Sequence, residues 1–285
     1  MLHPKLLSFL LFTVLLIAIA CTPTIEPATA PASVPPAEAP VEERTLTVLA
    51  AASLTESFTE LGTLFESQNP GIKVAFSFAG SQALAQQLGQ GAEADVFASA
   101  NQKYMDAAVE TNRVNQGDAK TFATNRLVVI FPKENPAEIK TLQDLAKPGI
   151  LLDLADPSVP VGQYTVNFLD KAVEDADFGA QFKDDVLNNV VSYEDNVKAV
   201  VTKVSLGEAD VGIVYVTDIT ADDADKVGKL DIPDALNTIA TYPIAPVSDS
   251  KNPEMAQAFV DLVLSPEGQG VMAQYGFIPA VGDSD

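Results

Sequence analysis

Two stretches place a hydroxyl where a β-type run gives way to helical periodicity. "VLAAASLTESF" ends its apolar run in three alanines and Ser53; "FSFAGSQALAQQL" ends its run in Ala79, Gly80 and Ser81. Two later handovers, "DPSVPVGQY" (156–164) and "YEDNVKAV" (193–200), also lead from a strand-like run into a helix. A helix N-terminus offers unpaired N–H groups and the positive end of a dipole. Together these form an anion site that needs no cationic side chain. Small residues let the backbone approach the ligand, and a serine adds a donor. Lys and Arg are absent from all four turns up to the helix starts. Neutral donors alone suit a fully deprotonated tetrahedral oxyanion, such as sulfate, molybdate or tungstate. Phosphate near neutrality keeps a proton and also needs an acceptor, which is costly to bury unpaired. A plainer reading stands beside this one. "SLTE" (53–56) is a capping box that satisfies only its own helix, and a serine at a helix start is commonly an N-cap. Asp156, Glu194 and Asp195 must also turn away from any bound anion.

The elements that would position these groups follow from periodicity. "TLTVLA" (45–50) reads as a strand, and Leu54, Phe58, Leu61 and Phe65 form one helical face over 54–68 before "NPG" stops it. Strand 72–79, helix 81–91, strand 94–99 and a helix from Gln102 complete a βαβαβα unit. A second unit begins at "RLVVIFP" (126–132). It continues with a short helix over 141–149, strand 150–156, helix 162–173, strand 189–193, helix 195–209 and strand 210–218. "TYPIAPV" (241–247) is another strand, and two helices finish the chain. Helix N-termini at the carboxyl ends of such strands face the ligand crevice of an open α/β sheet. The expected class is α/β, with two similar lobes.

The ends and the composition narrow the function. Residues 6–20 form an apolar run after Lys5, too short to span a bilayer comfortably, and end in "AIAC". This reads as a signal peptide over 1–20. Small residues before Cys21 resemble a lipobox, which makes Cys21 a lipidated first mature residue. The alternative is an ordinary signal peptide with a chance cysteine. Residues 22–43, rich in Pro, Ala, Thr and Glu, read with Cys21 as a disordered tether. The lone histidine, His3, lies in the signal, and Cys21 is the lone cysteine. The folded part therefore has no disulfide, thiol nucleophile, Ser-His-Asp triad or His-ligated metal. A net charge of −22 without a basic stripe excludes nucleic acid as a partner.

"VLAAASLTESF", "FAGSQALAQQL", "GAEADVFASANQKYMD", "DPSVPVGQY" and "LGEADVGIVYVTD" together resemble the periplasmic molybdate-binding proteins of ABC importers, from about residue 46 to 279. The resemblance implies a type II periplasmic-binding-protein fold, with mostly parallel sheets flanked by helices and two hinge crossings. It places lobe one at 44–124 plus 243–285 and lobe two at 125–242. It implies oxyanion contacts from the Ser53 and Ser81 hydroxyls, the Val161 and Val197 amides and the Tyr215 hydroxyl, with no direct metal ligation. A one-residue slip from Val197 to Asn196 stays open, and Val161 replaces the more usual alanine. Ser99 lies either behind the site or at a solvent-facing strand end. Without the resemblance, Tyr215 would read as a buried sheet tyrosine. The implied function is capture of molybdate or tungstate, without a cofactor. The ligand passes to a membrane permease from a monomer, lipid-anchored outside the cytoplasmic membrane. Sulfate binding, a carboxylate-based hydrolase on the same fold and a passive surface scaffold are the alternatives.

Overall fold

The computed structural model describes residues 44–279. The expected signal peptide, Cys21 and the tether lie outside the described residues.

The first sheet begins with β1 (Arg44–Ala51), β2 (Ile72–Ala79) and β3 (Val96–Ala98). It also takes β4 (Lys120–Asn125), β10 (Ala240–Pro246) and β11 (Ile278–Pro279), in the order β11-β4-β10-β3-β1-β2. The second sheet collects β5 (Leu127–Pro132), β6 (Leu152–Ala155), β7 (Val190–Glu194), β8 (Val211–Tyr215) and β9 (Val227–Asp231). Its order is β7-β6-β8-β5-β9. Each has a parallel trio, β2-β1-β3 and β7-β6-β8, and the other strands join antiparallel. The sheets are thus mixed rather than mostly parallel. The antiparallel strands are those next to the crossings and the chain end: β4 leaves the first sheet, β10 and β11 return to it, and β5 and β9 open and close the second. The chain passes from the first sheet to the second at Arg126, between β4 and β5, and back between β9 and β10. The first sheet takes in Asn125 and Ala240, paired to each other.

Helices α1 (Thr55–Gln68), α2 (Ser81–Gly89) and α3 (Gln102–Glu110) follow β1, β2 and β3. In the second half come α4 (Pro160–Glu174), α5 (Phe182–Asn188) and α6 (Val197–Ser205), and the chain closes with α7 (Pro253–Leu264) and α8 (Pro266–Gln274). Phe58, Leu61 and Phe65 bury the expected face of α1, where Phe58 and Phe65 meet Phe259 of α7 with ring centroids 6.0 and 5.4 Å apart. The stop after α1 uses Gly71 at φ 87°, a conformation that side chains disfavour. Against the sequence reading, β4, α5, β9 and β11 are additional elements, and the short helix expected over 141–149 is a 3₁₀ helix at Leu142–Ala146. Residues 52–54 form a separate 3₁₀ turn ahead of α1.

Candidate oxyanion-binding site

Ser53, Ser81, Val161, Val197 and Tyr215 line one cleft between the two sheets' halves, with about 210 Å³ of empty space. All five are buried. Ala51, Ala52, Ala79, Gly80 and Ala100 complete the first-sheet wall, and Val159 and Pro160 the other. No charged side chain lines it.

Each group is delivered by a strand end. After β1 the chain makes the 3₁₀ turn Ala52–Leu54, and Ser53 lies inside it rather than at an N-cap. The capping box is not formed: Ser53 Oγ lies 3.0 Å from the Tyr242 hydroxyl, and both Glu56 carboxylate oxygens accept from Lys198 Nζ at 2.9 Å. After β2, Gly80 is the N-cap and Ser81 the first residue of α2. Ser81 Oγ accepts the Ala100 N–H at 3.0 Å, so its own proton is free for the cleft. After β6, α4 opens on Pro160, which has no N–H to orphan, and Val161 is the second residue. A side chain on Gly162 would lie 2.1 Å from the Asp156 carbonyl, so this turn packs tightly on its own backbone. After β7, Asn196 caps α6 by accepting the Ala199 N–H at 3.1 Å. Val197 thus opens α6 and lines the cleft, while Asn196 serves the helix. First-turn N–H groups such as those of Val161 and Val197 have no intrahelical acceptor. Tyr215 ends β8. Its N–H donates to Asp218 Oδ2 at 3.0 Å, and its buried hydroxyl has no hydrogen-bond partner among the described residues. Burial pushes that hydroxyl's pKa well above its ordinary value, so it keeps its proton and remains a donor.

The carboxylates near the turns point elsewhere. Asp156 is exposed and accepts from Ser158, Asp195 is exposed and accepts from Asn196, and Glu194 pairs with Lys203. Ser99 is fully buried and donates to the Asn101 carbonyl at 2.8 Å, off the cleft wall rather than toward solvent. Sequence reasoning missed Tyr242 and Asn125 behind Ser53, the Ala100 amide behind Ser81 and the Lys198–Glu56 pair. All of these depend on contacts between distant segments. Several contacts close the two halves on each other: Gln82 Nε2 to the Asp195 carbonyl at 2.7 Å, Asn101 Nδ2 to Gln163 Oε1 at 3.2 Å, and Lys198 to Glu56. Among the described residues no cluster of His, Cys, Asp or Glu is arranged to hold a metal ion. The arrangement gathers hydroxyl and first-turn amide groups around a small, uncharged space, which is the chemistry of anion capture.

Residues 46–278 match the bacterial extracellular solute-binding protein family. The chain is 39% identical to the molybdate-binding protein ModA of Mycobacterium tuberculosis over 234 residues, 82% of this chain and 84% of that protein. The solved periplasmic molybdate-binding protein of Azotobacter vinelandii superposes with TM-score 0.69 at 19% identity, covering 82% of this chain and 98% of its own. The sulfate-binding protein SubI of M. tuberculosis gives TM-score 0.74 at 20% identity, over 84% and 88% of the two chains. At these identities the two solved structures speak for the fold alone. The family match spans both sheets and every cleft residue, and with it the chain belongs to the bacterial extracellular solute-binding proteins.

Proposed function

We propose that this chain captures molybdate, with tungstate as an equivalent ligand, and hands it to the membrane permease of an ABC importer. The observation that carries this is the convergence of five neutral donor positions on one small buried cleft that no charged side chain enters. Ser53, Ser81, Val161, Val197 and Tyr215 bind the oxyanion's oxygens and never its metal. Likeness to a molybdate-binding relative over 84% of that protein supports the choice of ligand. Sulfate is the weaker reading: a donor-only site accepts it, and it parts from molybdate only by size. The protein binds its ligand and does not transform it. The two lobes, one carrying the first sheet and the other the second, hinge at the two crossings, at Arg126 and between β9 and β10; Asn125 and residues 240–242 then go with lobe one rather than lobe two. Closure buries the anion and shapes the surface the permease reads. The protein acts as a monomer, tethered outside the cytoplasmic membrane by a lipid on Cys21.

Isothermal titration calorimetry with molybdate, tungstate, sulfate and phosphate tests the reading. The expected result is tight 1:1 binding of molybdate and tungstate, with sulfate and phosphate silent. Sulfate binding as tightly as molybdate would move the protein to another importer. Silence from all four would overturn the site.

A further inference from the structure

We propose that Tyr242 is a positioning residue: its hydroxyl donates to Ser53 Oγ from behind and keeps the Ser53 proton facing the cleft. This rests on the oxyanion reading above and adds to it a residue outside the cleft wall. Asn125 is the last residue of β4. Its Oδ1 accepts the Arg126 N–H at 2.9 Å, and a backbone N–H can only donate. The amide's orientation is thereby fixed, with Nδ2 on the other side. Nδ2 donates to Thr217 Oγ1 at 2.7 Å and, in a longer contact, to the Tyr242 hydroxyl at 3.4 Å. Tyr242, on β10, is fully buried. With Asn125 able only to donate, the phenol's own proton needs another acceptor. Among the described residues its hydrogen-bond contact besides Asn125 is Ser53 Oγ, at 3.0 Å; the hydroxyl of Tyr215, whose ring packs edge to face on Tyr242, makes no hydrogen bond. Ser53 therefore accepts from Tyr242, and its own proton cannot point back along that line. It is left to the cleft.

Ser81 is set up in the same way by a different donor. The Ala100 N–H lies behind its Oγ at 3.0 Å, and Ala100 itself lines the cleft. Both serines thus have a protein donor at their backs. The relay Arg126 N–H, Asn125, Tyr242, Ser53 starts at the crossing between the two sheets and ends at the ligand. The bond from Asn125 to Thr217 ties it to the 3₁₀ turn that follows Tyr215.

A double-mutant cycle on the purified protein tests the relay. Tyr242→Phe keeps the ring and removes only the hydroxyl. Its molybdate Kd should rise about 10-fold, the size of one lost hydrogen bond, with the melting transition still cooperative. Ser53→Ala should weaken binding further than Tyr242→Phe. Adding Tyr242→Phe to Ser53→Ala should then change Kd little, because the relay acts only through Ser53. A merely structural tyrosine would give losses that add in full, and that result overturns the proposal. So does a Tyr242→Phe protein that binds molybdate like the parent.

A ligand-free readout separates this proposal from the reading beneath it. In proton NMR of tyrosine-labelled protein, the Tyr242 hydroxyl proton should show a cross-peak to the Ser53 β-protons that disappears in Ser53→Ala. A parent protein that binds none of the four oxyanions, yet shows this cross-peak, overturns the molybdate reading and keeps the relay. Absence of the cross-peak, with a resolved Tyr242 hydroxyl proton, overturns the relay whatever the protein binds.

Discussion

Asp153 lies fully buried on β6, the strand that leads to the Val161 turn, and neither of its carboxylate oxygens has a hydrogen-bond partner among the described residues. Burial, with the Glu194 carboxylate nearby, raises its pKa to about 7, against the pull of Lys203 Nζ at 3.8 Å. The unfolded chain releases this proton near 3.8. Between those values the folded state holds a proton that the unfolded state has lost. Asp153 therefore contributes stability that is complete below about 4 and is lost as pH rises through about 7. Asp153→Asn imitates the neutral acid. Its melting temperature should match the parent's near pH 4 and exceed it by a margin that grows up to about pH 7, in paired calorimetric scans across pH 4 to 8. A difference that stays constant across that range would mean Asp153 is ionised throughout and held by Lys203. The contrast with the cleft is instructive. There the titratable group is Tyr215, whose pKa is driven upward and away from neutrality, so the donor stays a donor.

At the scale of elements, the site is four handovers and one strand end, and the handovers were legible because each is local. β2 spans the expected residues, and α1, α2, α3, α4 and α6 lie within a few residues of their expected ranges. The 3₁₀ turn at Ser53 was not legible. "SLTE" fits a capping box equally well, and only the Tyr242 hydroxyl, 189 positions away, decides where Ser53 turns. β9, "VGKLD", escaped notice for a related reason. Short and glycine-bearing, it is a strand because β5 offers it an edge. Gly80 shows how closely the elements meet. A Cβ there would lie 2.4 Å from the Asp195 carbonyl, a backbone atom on the far side of the cleft, and equally near the Gln82 side chain, which can move. Gly80→Ala should therefore oppose closure without disturbing either half. The expected outcome is unchanged melting of the free protein and a ligand off-rate raised several-fold, read by stopped-flow. An off-rate equal to the parent's would mean the halves close with room to spare.

For the whole molecule the difficulty is charge. The chain carries a net −22, and its proposed ligand is a dianion. The field of the protein at a distance opposes encounter, while the donors that hold the ligand act only at contact. Salt screens the first far more than the second: the Debye length is about 10 Å at 0.1 M, whereas the cleft is buried. The two rate constants should then respond differently. The on-rate should climb as ionic strength rises from about 10 mM to 200 mM, because repulsion over more than a Debye length is removed. The off-rate should change little, because it reflects opening of a closed cleft. The charged part of the closing contacts, Lys198 to Glu56, contributes only a small salt-sensitive share, as partly exposed ion pairs do. The protein has no tryptophan, and Tyr215, Tyr242 and Tyr164 pack edge to face around the site, so intrinsic tyrosine fluorescence can report binding. Stopped-flow at a series of sodium chloride concentrations gives both constants. An on-rate that falls with salt would mean a local positive potential at the cleft mouth governs encounter, and that the acidic surface lies too far from the entrance to matter. A rise confined to the on-rate would separate the two roles: the surface sets how often the anion arrives, and the buried donors set how long it stays.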